Sequence, residues 1–584
     1  MVAAAGYGKT SLLRHRFPGA TWTSEPGGFG EGVTIIDDLP ALTPDRAQAL
    51  LAEAEQMPSG ARLAIATRFP LPVSTARLRG RGLLAEVRPA ELALSADQVT
   101  DLLAAEYGVR DPDLCDEIYE ATLGWPALVR LSGEAVAAGE PVLAQPGSPL
   151  WTFLSEEVLA PLPDPARALL TDLAELAPVT ADLGEALGHR DAAASLRLLA
   201  AIGLLRDNRV VPMVAHVARD RSAPGRVAML AALWYEEAGH PAAALKSFAQ
   251  AGDLVQCGRL LEAQGEEILA AGRGALVIDV LQRLEKRSRA QQLLLGDAIR
   301  MAGSALNAAQ AYAVVADAEP VWDSAVAWRM GMLHYHRGDS KAALAEFDRA
   351  PADEPPSRDR SHLLSWTACA HLQLGDTATA VDLANAASRN ASAAGDDLAL
   401  ATAYVTLALC NNVSGRDADS EELDVQALEM AEKAGSVVLR ARILTSRTFR
   451  LLCEARYVDA LEASRQNAFA ATLAGHANLR SISYSNQGDA LMMLGRYDEA
   501  IRQYERAEAT SRRQGSRRSA TSYLGLGEVY RRRGWVEQAR AAYETALQLA
   551  EDGGLQQVRV NALCGLARML APVDAVTAAA HADL

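Results

Sequence analysis

Cysteine is scarce and scattered in this chain of 584 residues. Its six cysteines, Cys115, Cys257, Cys369, Cys410, Cys453 and Cys564, form no CxxC pair, so neither a zinc site nor a disulfide framework is indicated. A reducing cytoplasm suits them. Aromatic residues make up only 5% of the chain, while alanine is abundant, which favours closely packed helices over a core of large rings. No apolar run approaches the roughly 18 residues of a membrane span, and the N-terminus lacks the apolar segment of a signal peptide. A cytoplasmic protein with no membrane contact is expected. Positive charge is also in deficit. With 57 basic against 73 acidic residues the net charge is −16, which argues against broad nucleic-acid binding by the whole chain.

What is present begins at once. The length exceeds one ordinary core, so several domains or an array are expected. The stretch A-A-A-G-Y-G-K-T-S, Ala3 to Ser11, has the spacing of a phosphate-binding loop. Ala3 takes the first position, where glycine is usual. Gly6 and Gly8 allow backbone N–H groups to turn inward around phosphate oxygens. Lys9 has the reach for the β- and γ-phosphates, and the Thr10 hydroxyl can ligate Mg²⁺. Ser11 stands at the head of a helix whose positive end points at the phosphates.

Further along, V-T-I-I-D-D-L, Val33 to Leu39, predicts a buried strand ending in two carboxylates. Asp37 is placed to hold Mg²⁺ and Asp38 to polarise an attacking water. A-R-L-A-I-A-T-R-F-P, Ala61 to Pro70, predicts another strand, with Arg68 at its end to sense the γ-phosphate. The three signals in this order point to a P-loop nucleoside-triphosphatase fold.

Together with L-G-W-P-A-L-V-R-L, and W-Y-E-E-A-G-H-P-A-A-A-L-K-S-F-A-Q-A-G-D at Trp234 to Asp253, these motifs resemble the STAND class of signal-transduction ATPases. The nearest likeness is to MalT-like regulators of the LuxR type. The resemblance implies a multidomain chain. A shortened α/β P-loop domain would cover residues 1–90, a helical lid 91–145 and a winged helix 146–222. An all-α superhelix of tetratricopeptide-like repeats, the sensor, would cover 223–584. It implies ATP or ADP with Mg²⁺ as cofactors and weak ATPase activity at most. It also implies an inducer, small molecule or protein, on the concave face of the repeats, a homo-oligomer in the active state, and a role in transcriptional regulation. Pro126, in the Gly-Trp-Pro motif, would approach the nucleotide from the lid.

The sequence departs from that pattern in three places. Only Met1 and Val2 stand where a whole strand normally precedes the loop, so a poorly anchored loop is expected. Either a segment lies upstream or the site is degenerate. Lys9 and Asp37 are only 28 residues apart, with Ala20 to Ser24 as the intervening strand and Pro26 to Gly32 as a flexible joint. Val211 holds the place where the family often has a histidine near the β-phosphate. His216, five residues on, reads as an ordinary satisfied side chain.

From about Ala223 the chain becomes a run of alanine-rich amphipathic helices. Gly488, Gly495, Tyr497, Ala500, Tyr504 and Ala507 fit the tetratricopeptide pattern. So do Gly527, Tyr530, Gly534, Ala539, Tyr543 and Ala546, and earlier Gly331, Gly338, Ala343, Phe347 and Ala350. Small residues let paired helices approach, and the aromatic fills the gap to the next pair. The first small position recurs at Gly331, Ala368, Ala408, Thr448, Gly488 and Gly527, at spacings of 37 to 40 residues, against about 34 for the usual repeat. These positions are expected to be core. A last repeat aligned at Ala567 lacks a capping helix, and no DNA-binding domain follows, so direct DNA binding is not expected. The basic clusters Ser511 to Arg518 and Arg531 to Gly534 read as a solvated rim. The competing interpretation of the chain is a non-enzymatic repeat scaffold with a vestigial loop.

Overall fold

The computed structural model describes all residues except 25–28, 30, 220–223, 320, 337–338, 416, 514–518, 554 and 571–584. Gly338, much of the joint at 26–32, most of the first basic cluster and the end of the last repeat therefore lie outside the described residues. The chain divides into two compact units, Met1–Asp253 and Leu254–Leu584.

The first unit opens with α1 (Lys9–Arg16), β1 (Thr21–Thr23), β2 (Gly32–Leu39), α2 (Pro44–Glu55) and β3 (Ala61–Thr67). The strands form a parallel sheet in the order β1–β2–β3, with Ile36 of β2 opposite Thr23 on one side and Ile65 on the other. Its faces alternate along β2. Ile35 packs with Leu13 of α1, and Ile36 with Leu50 of α2. Both faces are thus covered, as a parallel sheet requires. The two residues before the loop extend this sheet. Val2 bridges Thr67 in parallel, the Thr67 N–H donates to the Met1 carbonyl at 3.0 Å, and the Met1 amine donates to the Ile65 carbonyl at 2.7 Å.

Short helices α3 (Ala76–Gly80) and α4 (Pro89–Leu92) lead to α5 (Ala96–Tyr107), α6 (Pro112–Thr122) and α7 (Pro126–Ala137). These pack around Leu103, Ile118, Trp125 and Leu128, all fully buried. Next come α8 (Pro149–Thr152), a π-helical turn Phe153–Leu159, α9 (Asp164–Leu173), α10 (Ala181–Ala186) and α11 (Ala192–Ile202). An antiparallel hairpin follows, β4 (Leu205–Arg206) and β5 (Arg209–Val210), turned by Asp207 and Asn208 at positive φ, the conformation a two-residue hairpin loop demands. Then come α12 (Pro212–Arg219), α13 (Pro224–Glu237) and α14 (Pro241–Ala251). The last two helices belong with this unit. The Tyr235 hydroxyl donates to Pro178 at 3.0 Å, and Gln250 donates to Glu175 at 2.6 Å.

The second unit is helical throughout its described residues. Its paired helices are α15 (Leu254–Ala270) and α16 (Gly274–Arg283); α17 (Arg289–Met301) and α18 (Ala305–Ala316); α19 (Ser324–His336) and α20 (Ser340–Phe347); α21 (Arg358–Gln373) and α22 (Thr377–Ala394). Then come α23 (Asp397–Val413) and α24 (Asp417–Lys433); α25 (Val437–Cys453) and α26 (Tyr457–Leu473); α27 (Ala477–Met493) and α28 (Tyr497–Arg513); α29 (Ser519–Arg532) and α30 (Val536–Gly553); and α31 (Gln556–Leu570). Ser288, Ser357, Asp396 and Ser436 cap the first helices of their pairs through side-chain bonds to the backbone N–H three residues on.

The small-residue rule is visible in atomic terms. A β-carbon at Gly331 would lie 2.2 Å from Phe347, one at Gly488 2.6 Å from Tyr504, and one at Gly527 2.8 Å from Tyr543. Tyr504 also lies against Gly525 of the next pair, and Tyr543 against Gly565. The array meets itself after one turn: α15 touches α25, and Gly272 (φ 81°) lies so close to Leu473 and Ala474 that a β-carbon would sit 2.6 Å from the Leu473 carbonyl oxygen. Among the described residues no helix is long and apolar enough to cross a membrane.

Candidate functional site

The loop that the sequence marks as a phosphate cradle turns between the Met1–Val2 stub and α1. Gly6 and Gly8 both adopt left-handed φ, 76° and 80°, which a β-branched side chain could not follow. Gly6 has a second constraint, because a β-carbon there would fall 2.4 Å from that of Ala127. Among the described residues no backbone acceptor takes the N–H groups of Gly6, Tyr7, Gly8, Lys9 or Thr10. Five consecutive backbone donors without a backbone acceptor at the start of a helix are an arrangement that can take an anion.

Lys9 is buried, and its ammonium donates to the carbonyls of Ala3 and Ala4 at 2.7 and 2.9 Å. Burial lowers it to about 8, with Arg68 adding to that effect and Asp38 and Asp37 opposing it. The Thr10 hydroxyl donates to Asp37 at 2.7 Å. Two oxygen ligands of the type Mg²⁺ prefers therefore converge from the loop and from the end of β2. Asp38 follows at φ 52°. Its carboxylate accepts from Arg68 at 3.1 Å, and Arg68 also donates to Glu157 at 3.0 Å. Arg68 thus bridges the strand ends to the π-helical turn. Ser11 is exposed on α1. Pro126 opens α7, and the next residue, Ala127, donates its N–H to the Gly6 carbonyl at 3.1 Å.

The expected weakness of the loop is offset by groups distant in sequence. The Ala4 N–H donates to Ile202 at 2.8 Å, and the Trp125 indole donates to the Ala5 carbonyl at 3.0 Å. Trp125 stacks on Tyr7 with ring centroids 4.5 Å apart. The Tyr7 hydroxyl, raised above its ordinary pKa by burial, donates to Gly203 at 2.8 Å. The segments around Trp125 and Ile202 therefore supply anchoring that a longer first strand would give. Beside the loop, a cavity of 530 Å³ is lined by Val2, Tyr7, Arg88, Pro89, Leu123 and Arg206.

Tyr7, Trp125, Glu157 and Ile202 were not singled out for these roles by the sequence. Trp125 had a signal in the Gly-Trp-Pro motif; Tyr7 sat in a variable position of the loop, and Glu157 and Ile202 had none. His216 is satisfied elsewhere, its ring 2.9 Å from the Ala144 carbonyl and edge-on to Trp151. In the second unit most of the stripe residues are core, Ala343, Ala500, Tyr504, Ala507, Ala539, Tyr543 and Ala546 among them, but Ala350, Tyr497 and Tyr530 are only half-buried, and Gly495 and Gly534 are exposed turn residues at positive φ. The second basic cluster is neutralised, with Arg531 and Arg532 on Glu528 and Arg533 on Asp498.

The tetratricopeptide repeat family model matches residues 479–552, so the chain carries tetratricopeptide repeats. No curated protein matches the sequence. Among solved structures, a signal transduction ATPase with numerous domains and a tetratricopeptide repeat sensor, from Pyrococcus horikoshii, is similar at 16% identity and a TM-score of 0.36. The match covers 99% of this chain and 91% of that one. A Rap protein complexed with competence and sporulation factor is similar at 14% identity, over 60% of this chain and 86% of that one, with a TM-score of 0.39.

Proposed function

We propose that this chain is a STAND-type signalling switch, in which a nucleotide held at the front sets the state of a repeat sensor behind, with transcriptional regulation as its output. The observation that carries this reading is the loop itself. Gly6 to Thr10 offer five backbone donors to phosphate, and Thr10 and Asp37 offer the oxygens for Mg²⁺. The donor set fits ATP or ADP. Lys9, which donates to the carbonyls of Ala3 and Ala4, would turn its ammonium to the phosphate charge that a nucleotide would supply. Asp38 and Arg68, now paired with each other, are the residues placed to position water and sense the terminal phosphate. The 530 Å³ cavity beside Tyr7 is the compartment for the base. Because Trp125, Ala127 and Ile202 grip the loop backbone, a change at the phosphates is felt in the helices that follow. In this reading α9 to α11 with the β4–β5 hairpin form the winged helix, and α5 to α7 the lid.

A second reading, a repeat scaffold with a vestigial loop, is favoured by Lys9 being already engaged within its own loop. One measurement separates them: nucleotide released from the purified protein by denaturation and resolved by chromatography, with Lys9→Ala alongside. Near-stoichiometric ADP or ATP in the wild type, and at least about tenfold less retention in the variant, is the expected result. A folded wild type that stays empty with added Mg-ATP leaves the scaffold as the function.

A further inference from the structure

The inner face of the second unit holds an open cavity of 160 Å³, built by the first helices of the successive pairs. Four arginines converge there: Arg300 from α17, Arg329 from α19, Arg358 from α21 and Arg442 from α25. Their pairing is unequal. Arg329 is fully matched, donating to Asp297 at 2.8 Å and to Asp359 at 2.9 Å. Arg358 is held by Glu266 and Asp396. Arg300 reaches a carboxylate oxygen of Asp297 only at 3.7 Å, and that oxygen already accepts from the Tyr312 hydroxyl at 2.7 Å. Arg442 has no ion pair and no hydrogen bond among the described residues; its guanidinium faces the Trp366 ring, 5.5 Å from the centroid.

A guanidinium cannot shed its proton to escape burial, so it needs an anion. Burial weakens the hold of Arg442 on its proton, and the neighbouring charge of Arg300 adds to this. His362 does not add positive charge. Burial brings it down to about 4, with Arg442, Arg329 and Arg358 reinforcing the fall against Asp359, so at neutral pH it is an uncharged hydrogen-bonding group. By number the four arginines are matched by Asp297, Asp359, Glu266 and Asp396, but these carboxylates engage Arg329, Arg358 and, distantly, Arg300, so the unmatched place for an anion is local to Arg442. Leu269, Met301 and Leu439 supply an apolar wall beside the arginines. At about 30 Å³ per water-sized group the cavity has room for a carboxylate and a few carbons.

We propose that this cavity binds a carboxylate-bearing ligand, with Arg442 as its principal anchor, Arg300 as the second cation and the Leu269–Met301–Leu439 wall taking its carbon chain. The site deepens the sensor half of the proposed function by naming the chemical class it senses. The carboxylate belongs either to a free organic acid or to the end of a peptide, and both present the same group to Arg442.

The test is calorimetric titration of the full chain at low salt with hexanoate against hexanamide, and with an acetylated tetrapeptide ending in leucine, free against amidated. Binding of at least one acid, with its neutral amide silent, is the expected result; which acid binds identifies the source. Arg442→Gln, which removes an unpaired charge and should fold at least as well as the wild type, is expected to weaken that binding about tenfold or more, and Arg442→Lys to retain part of it. No binding by any acid, equal binding of acid and amide, or unchanged affinity in Arg442→Gln would overturn the proposal. Lys9→Ala is expected to leave the titration unchanged, so failure here and failure of the nucleotide reading are told apart.

Discussion

The repeat pairs of the second unit share one construction and fill it in two ways. In four of them a glycine on the first helix meets an aromatic on the second: Gly296 with Tyr312, Gly331 with Phe347, Gly488 with Tyr504 and Gly527 with Tyr543. In the three between, α21 to α26, the same two positions hold Ala368 and Ala384, Ala408 and Asp424, and Thr448 and Ser464, all buried. The outer pairs are locked by a ring driven against backbone. In three of them the residue after the glycine also accepts the tyrosine hydroxyl: Asp297, Asp489 and Glu528, at 2.7, 2.6 and 2.9 Å. The middle pairs are joined by small side chains and buried polar groups. Arg358, His362 and Arg442 all stand on pairs without a ring at that slot, while Arg300 and Arg329 stand on pairs that have one, so the cavity lies where the two kinds of filling meet. A fold that repeats its backbone can grade its own rigidity by what it places at one slot.

The comparison breaks most readily at the rings. Tyr504→Ala and Tyr543→Ala each leave a cavity between two pairs and are expected to cost about 3–5 kcal/mol, read from the urea midpoint of the repeat unit. Ser464→Ala, at the equivalent slot in the middle, is expected to cost less than about 1 kcal/mol. Equal losses would mean that the slot carries no special weight.

A smaller effect concerns Asp424, which occupies the ring slot without a hydrogen bond to either carboxylate oxygen. Burial raises it from 3.8 to about 6, against the pull of Arg450, whose Nε is 3.9 Å away. The folded state therefore favours the protonated acid. Stability from this group is greatest below the unfolded value of 3.8, falls as pH rises through about 6, and is flat above. Asp424→Asn is expected to remove that slope, up to about 3 kcal/mol between pH 4 and pH 7. The check is the difference in thermal midpoint between variant and wild type across that range; a constant difference would exclude a titrating Asp424.

The smallest effect lies in the turns. Gly415, Gly435, Gly475 and Gly495 end successive helices at positive φ, and Ala455 takes the corresponding place at 59°. Ala455→Gly is expected to stabilise by about 1 kcal/mol, and Gly475→Ala to destabilise by a similar amount. A lower melting temperature in Ala455→Gly would show that the Ala455 side chain contributes more than its backbone loses.

The same contrast explains what the sequence could disclose. Repeats bearing a glycine and a ring announce themselves locally, and Gly331, Gly488 and Gly527 are legible in the primary structure. Gly296 and Tyr312 are built the same way on shorter helices and escape the pattern. The middle repeats are legible only through spacing, because alanine, aspartate and serine carry no signature. At the front, Lys9, Thr10, Asp37 and Asp38 are legible because each belongs to a short motif set by local backbone geometry. The grip of Trp125 on Ala5 spans 120 residues, and that of Tyr7 on Gly203 spans 196. No local rule encodes such pairings. Arg300 and Arg442 meet for the same reason, through the return of a coil and not through any motif.

That return has a mechanical meaning. At Gly272 backbone rests on backbone, with no side chain between to yield. A spring whose neighbouring windings already touch has a hard stop in compression and compliance only in extension. At that contact a closing of the pitch would press backbone on backbone, whereas an opening would meet no such stop.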